Sequence, residues 1–511
     1  MAKYIGITIG PISDTLNAAS TPAALWFASS IFSDITRRLC EEILSENGFP
    51  DAKIISPFHE HKYRKYDGIG KYHDRIIFLT NQYSTEKMSS ITAKVKRDTI
   101  EVFSEEVKEN TILKEAEEFL EQYLQIHYIC LDETKIKGNV LLAISPYLDI
   151  MELMKTFPMD NSRNLINKML NGTKNSRNAY IKNSKLFTTI EEGDNQIRNR
   201  NGNIRTIEEI ASCSRIVSRD GDDFKRSYYY AVVQADGDNM GRFLEGIDKD
   251  EQITRFSSAC FQYDEAAANM IGEYGGMTIY AGGDDLLFLA PVVNEAQETV
   301  FSLCSRINQT FQKIIQEGGF ADKIPTVSFG ISIQYVKYPL YEALKNARKL
   351  LFAVAKENDD TKNSMAIEVQ KHSGQSVCVL VPNQEYEVYS KLVNATDTQQ
   401  ETTIHSLLYT LEKNRELLLV LDRQVKEKGI GFQDYQAAWF NFFDNPAQQA
   451  YQDYISRICA IYYHEFVKRD IRITIPESGL PVSYEDKHTR MMSLLYLLRI
   501  QKFLFEKGAV R

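Results

Sequence analysis

The chain has 511 residues, 43% hydrophobic and 25% charged, with a net charge of -9. This is ordinary globular composition, and the length predicts two to four compact units. The acidic balance excludes binding nucleic acid by bulk charge, and no apolar window approaches a membrane span. The opening MAKYIGITIGPISDT lacks a basic region, apolar run and cleavage site, so a soluble cytoplasmic protein without membrane contact is expected. The seven cysteines (Cys40, Cys130, Cys213, Cys260, Cys304, Cys378 and Cys459) stand singly, with no C-x-x-C pair, which predicts reduced buried thiols.

In chain order, the apolar run Tyr4 to Ile9 reads as a strand. A helix follows, with Thr21 as N-cap and Pro22 in its first position. Lys53 to Ser56 and Arg75 to Leu79 are strands, Met88 to Leu124 is a long helical stretch, and Ile126 to Leu131 is a strand. The order β-α-β-β-α-β predicts a ferredoxin-like unit over residues 1–158. Residues 159–226 are rich in Asn, Arg, Ser and Gly and read as an irregular connector with short helices, one of them Thr206 to Ser212.

The same order then returns over 227–375. Tyr228 to Ala235 is apolar enough for a strand covered on both faces, and a helix spans Glu251 to Tyr274. Met277 to Tyr280 and Leu286 to Ala290 form a hairpin through Ala281-Gly282-Gly283-Asp284-Asp285. A helix (Glu295 to Glu317), a strand (Thr326 to Gln334), a helix (Tyr341 to Lys356) and an edge strand (Met365 to Val369) complete the unit. Residues 376–511 carry apolar positions at three and four spacing and read as a helical domain, with the stripe Trp439, Phe440, Phe442, Phe443 and Tyr451 as core or subunit interface. The fold class is thus α+β, with two ferredoxin-like palms, a connector and a helical C-terminal domain.

Two segments carry chemistry: Asp236-Gly237-Asp238-Asn239-Met240-Gly241 at a strand end, and Gly282-Gly283-Asp284-Asp285 in the hairpin. In a β-α-β-β sheet the first strand end lies beside the turn joining strands two and three. Asp236 and the Asp284/Asp285 pair are therefore expected as neighbours, with Asp238 close by. Crowded carboxylates raise one another's pKa unless a cation relieves them, and oxygen ligands select Mg²⁺ or Mn²⁺. Two such ions suit an in-line phosphoryl displacement. Gly282 and Gly283 clear the backbone for a nucleotide, with Gly237, Asn239, Met240 and Gly241 placed near its phosphates. Lys356 can reach a triphosphate, or equally can be a solvated lysine suiting its helix dipole. In the loop from Pro57 to Asp74, His59, His61 and His73 read as solvated or substrate-contacting rather than metal-binding.

The phrases VVQADGDNMG and IYAGGDDLLFLAP, with YIGITIGPISDTL, LWFASSIFS, TIEEIA and MAIEVQKHSGQ, resemble the large polymerase-like subunit of type III CRISPR effector complexes, in its Cmr-type (III-B) branch. The resemblance covers about residues 1–375. It implies a nucleotidyltransferase that target RNA switches on, converting ATP to cyclic oligoadenylate, or joining AMP to S-adenosylmethionine. It implies Asp236, Asp284 and Asp285 as catalytic metal-binding acids, Asp238 as a further metal-motif acid, and Lys356 as the lysine ending the helix after the palm. It further implies partner subunits and guide and target RNA held largely through the complex. Two departures lead to further expectations. The chain opens at the first palm without an HD nuclease domain, and Cys213 alone stands where relatives carry four zinc-binding cysteines, so neither DNA cleavage nor zinc is expected. A GGDEF-type cyclic dinucleotide synthase and a non-catalytic scaffold are the rival readings.

Overall fold

A computed structural model describes residues 2–59, 69–100, 121–154, 196–199, 201–212, 228–320, 324–357, 359–394, 401–443, 449–476 and 490–505. His61, Cys213, much of the expected connector and residues 101–120 of the expected helix to Leu124 lie outside these residues.

The first sheet contains β1 (Lys3–Gly10), β2 (Lys53–Ser56), β3 (Arg75–Thr80) and β4 (Gln125–Asp132), in spatial order β2-β3-β1-β4. All its pairings are antiparallel, with Ile7 opposite both Ile76 and Tyr128. The alternation of β1 decides its two faces. Ile5, Ile7 and Ile9 pack with Trp26, Phe27 and Ile31 of helix α2 (Pro22–Leu44), which follows the short α1 (Ile12–Asn17). Thr21 caps α2 as its sequence predicts, accepting from the Ala24 N–H at 3.2 Å. Helix α3 (Thr85–Ile100) packs beside α2 on this face, and α4 (Val140–Glu152) covers the opposite one. The sequence pattern does not announce α4, because Pro146 interrupts it. Gly6 lets α4 approach, since a Cβ there would meet Ile144 Cγ2 at 2.5 Å.

The second sheet has six strands: β5 (Tyr229–Gly237), β6 (Met277–Gly282), β7 (Asp285–Pro291), β8 (Val327–Tyr335), β9 (Ser364–Gln370) and β10 (Ser376–Pro382). Their order is β10-β9-β8-β5-β7-β6, so β8-β5-β7-β6 repeats the first palm's ferredoxin order. Two expectations are corrected here. β9 is an interior strand, parallel to β8 and antiparallel to β10, and the sheet runs past residue 375 into the region expected to be helical. The buried run Val377–Val381 gives β10 its reason to join. Beyond it come the helices Tyr386–Asn394, Glu401–Lys413, Arg415–Lys428, Phe432–Phe440, Gln449–Ile461 and Arg490–Phe505. Their core holds Trp439 and a buried Asp422 that accepts from Tyr435 and Tyr462 hydroxyls at 2.7 and 2.6 Å.

The palms pack reciprocally. Helix α2 of the first touches β6 of the second. After α5 (Ile207–Ala211) and α6 (Met240–Leu244) comes the second palm's long α7 (Asp250–Tyr274), which touches β2 of the first. Connector residues clamp the turn before β6. Arg205 donates to the Gly275 and Gly276 carbonyls at 2.8 and 3.0 Å, and Gln196 accepts from the Thr278 N–H at 2.7 Å. Asn139 is the other tie. Its Oδ1 caps α4, while its Nδ2 donates to the Leu244 and Ile247 carbonyls at 3.0 and 2.7 Å, just past the first acidic motif. Asn139→Ala loses cap and tie together and should cost about 2 kcal/mol in urea unfolding. Asn139→Asp keeps the cap and should recover part of that loss.

Candidate active site

Pairing of β5 with β7 sets Ala235 opposite Leu286, which brings Asp236 level with the hairpin acids. The turn Gly283-Asp284 is tight, with Gly283 at φ +80°, a conformation glycine adopts without strain. Asp284 folds back onto the end of β5. A Cβ at Gly237 would stand 2.5 Å from Asp284 Oδ2 and 2.8 Å from its Cβ. Glycine at 237 is therefore what lets the two motifs close on each other.

Burial and the neighbouring Asp285 push the Asp284 carboxyl up to about 7, while burial and Asp74 of the first palm raise Asp285 to about 7 against the pull of Arg348. Asp74 itself is raised to about 6, by burial and then Glu152. Unrelieved negative charge thus gathers at this hairpin. Asp236 has a resident counter-ion. Lys356 donates to its Oδ2 and also to the Gly237 carbonyl at 2.6 Å, and burial lowers the Lys356 ammonium to about 8.

The position of Lys356 depends on a local irregularity. After α8 (Val300–Glu317) comes helix α9 (Leu340–Leu350), which widens into a π-type turn over Leu351–Ala355, so the Lys356 N–H reaches back five residues to the Leu351 carbonyl at 2.9 Å. The sequence predicts regular helix throughout. Gly330 on β8 accommodates the change, because a Cβ there would strike the Ala347 carbonyl and Leu351 N.

Asp238 departs from its expected place among the metal ligands. It is 2% exposed, and its carboxylate accepts from Thr326 Oγ1 (2.7 Å), Ser328 Oγ (2.9 Å) and the Asn363 N–H (2.9 Å). With its oxygens taken, it braces the ends of β5, β8 and β9. Asn239 takes a left-handed φ of 58° and accepts from Lys362 Nζ at 2.8 Å. Met240 packs its Cγ beside Gly237 and lines the first cavity below, whereas a Cβ at Gly241 or Gly283 would meet nothing within 4 Å. Gly282 lies against His73, to which a Cβ would stand at 3.6 Å.

Two cavities flank the hairpin, of about 420 and 590 Å³. His73, Asp74, Gly282 and Asp285 line both, Asp284 only the first, and Asp236 and Arg348 only the second. Each is walled by both palms. His73 is not a solvated loop residue: its Nε2 pairs with Ser56 Oγ at 3.1 Å, and burial lowers it to about 4. His59 Nδ1 pairs with the Tyr72 hydroxyl at 3.0 Å. Asp74 and Arg348 are site residues that sequence spacing does not reveal, since only tertiary packing carries them here.

Among the described residues no three His, Cys, Asp or Glu side chains gather closely enough to hold a metal unaided. The expected four-acid cluster of Asp236, Asp238, Asp284 and Asp285 is therefore not assembled. The donor set still fits a hard divalent cation, because all its atoms are oxygens, the hairpin acids carry excess charge, and Mg²⁺ commonly takes one or two carboxylates plus substrate phosphates. Asp284 and Asp285, with Asp236 once released from Lys356, are the residues that would hold it.

A family model described as Cas10/Cmr2, second palm domain, matches residues 229–366. The CRISPR system Cmr subunit Cmr2 of Pyrococcus furiosus is 33% identical over 180 residues, a match covering 30% of this chain and 20% of the relative's length. A type III-B Cmr-beta structure in its apo state aligns over 98% of this chain and 81% of its own, with TM-score 0.59 and 11% identity. A Csm1-Csm4 cassette in complex with cA3 aligns over 90% and 69%, with TM-score 0.51 and 14% identity. At those identities the two structures establish the fold.

Because Asp284 and Asp285 bind protons more tightly folded than unfolded, the stability they contribute is full below about pH 4 and lost as pH rises through about 7. In EDTA, Asp284→Asn with Asp285→Asn should melt higher than the parent at about pH 8 and near it at about pH 4. Millimolar Mg²⁺ should narrow the gap. Gly237→Ala should displace Asp284 and lower kcat by about a hundredfold in a nucleotide-transfer assay while leaving the circular dichroism spectrum intact.

Proposed function

We propose that this chain, a Cmr2 homologue whose residues 229–366 form a Cas10/Cmr2-type second palm domain, is the nucleotidyltransferase subunit of a type III CRISPR effector complex. Its substrate is ATP and its product a cyclic oligoadenylate, built by 3′–5′ linkage with release of pyrophosphate. The observation that carries this reading is the pair of cavities on either side of one acidic hairpin, each lined by both palms. Two nucleotides seated there meet at Asp285. That a fold neighbour has been captured with cA3 is consistent with the reading.

In this mechanism the acceptor 3′-hydroxyl attacks the α-phosphate of the donor, a new phosphodiester forms, and the bond to pyrophosphate breaks. The divalent cation supplies Lewis-acid stabilisation of phosphate charge when bound. The residues do the rest by position. Asp284 and Asp285 present oxygens at the hairpin tip. Asp236 releases Lys356, whose ammonium then pairs with triphosphate oxygens beside the Gly237 carbonyl. Arg348, in the larger cavity, offsets the charge on Asp285 and adds a guanidinium for phosphate. The buried first-palm segment around His73 closes the space between the nucleotides.

The test is the complex assembled with guide and matched target RNA, given ATP and Mg²⁺ with and without S-adenosylmethionine, and read by mass spectrometry. Cyclic oligoadenylates are expected, falling at least about a hundredfold in Asp284→Ala with Asp285→Ala. A product containing methionine would replace the acceptor assignment, and a cyclic dinucleotide from GTP alone would replace the substrate. Products unchanged in the double variant would make the chain a scaffold.

A further inference from the structure

Asp264 stands on α7, 2% exposed, beneath the hairpin. Its Oδ2 accepts the Gly283 N–H at 3.0 Å, so it holds the turn that carries Asp284. Its other oxygen, Oδ1, is buried with no hydrogen-bond partner in the protein, although the residue lines the 420 Å³ cavity facing the first palm. A buried, unanswered carboxyl oxygen is costly, and structures rarely tolerate one without a reason.

The surroundings specify what answers it. Asp74, Asp284 and Asp285 line the same cavity, and its two cations, Lys71 and Arg75, are already paired with Glu265 at 3.0 Å and with Asp149 and Glu152, so a phosphate is repelled from this end. The partner is an uncharged group able to hydrogen-bond. The walls nearby are apolar and aromatic: Phe58, Phe256, Phe261, Met240 and Leu244, with the Phe58 and Phe261 rings 5.8 Å apart. Aromatic rings favour a nucleobase, and acids beside them favour sugar hydroxyls. A hydroxyl both donates and accepts, so it satisfies Oδ1 whichever protonation state Asp264 adopts.

We infer that the cavity facing the first palm takes the nucleoside end of a nucleotide and that Asp264 Oδ1 hydrogen-bonds one of its ribose hydroxyls. One carboxylate then links sugar recognition to the position of the Gly-Gly-Asp-Asp turn. Asp264 is a binding and positioning residue. The inference rests on the nucleotidyltransferase reading above and deepens it.

The test is equilibrium dialysis of the assembled complex with α,β-methylene ATP, whose α,β bridge resists transfer, and with its 2′-deoxy and 3′-deoxy forms. The parent should favour the ribonucleotide over at least one deoxy form by about tenfold. Asp264→Ala should shrink that preference to about twofold or less, and Asp264→Asn, which still accepts from Gly283 and offers an N–H, should restore part of it. The readout is a ratio within each variant, so general loosening of the hairpin does not mimic it. A ratio in Asp264→Ala equal to the parent's overturns the inference and leaves the functional reading standing. A parent that binds no nucleotide overturns both.

Discussion

Like charges held together at the end of an antiparallel strand pair are the constraint on which the structure turns. Register between β5 and β7 leaves Asp236, Asp284 and Asp285 half-buried at one end of the sheet, where loss of water raises the two hairpin acids. Such an arrangement persists only if the backbone around it is over-determined. Several independent contacts do that. Gly237 has no side chain to push Asp284 away, Asp264 holds the Gly283 N–H, and the Gly70 carbonyl of the first palm accepts from Ala281 N at 3.0 Å. The charge problem is solved at Asp236 by Lys356 and stays open at Asp284 and Asp285, whose oxygens would suit a hard divalent cation.

The first palm has no adjacent pair of acids in its own hairpin, yet it is half of the site. Its β2 and β3 and the segment between them supply Ser56, His73, Asp74 and Arg75 to the cavity walls, and Arg75 is pinned to Ser145 and Glu152 of α4 at 2.7 and 2.9 Å. Reciprocal packing, α2 on β6 and α7 on β2, fixes the two sheets relative to each other. The first ferredoxin-like unit therefore has a physical role: it builds the facing walls that one palm cannot provide.

Irregular local structure carries much of the precision. The π-type turn after α9 adds a residue to the helical repeat and sets Lys356 against Asp236. Asp238 spends its carboxylate on Thr326, Ser328 and Asn363, tying together three strand ends that meet beside the hairpin. A carboxylate engaged this way stabilises the platform, and it does so only because hydroxyl and amide donors from distant segments converge on it.

Local pattern alone determined much of this molecule. Thr21-Pro22, the apolar run of β5, the glycine pair before two aspartates and the repeated β-α-β-β order state their own conformations, because capping, burial and turn chemistry act over a few residues. They were enough for both palms and for the nearness of Asp236 to the hairpin. Tertiary structure decided the rest. Whether Asp238 faces a cation or a ring of donors depends on Thr326, Ser328 and Asn363, some ninety to 125 residues away. The closeness of Asp74 to Asp285, the free oxygen of Asp264 and the membership of β10 in the sheet likewise come from contacts between distant segments. Sequence spacing does not encode such contacts, because they arise from how finished elements pack.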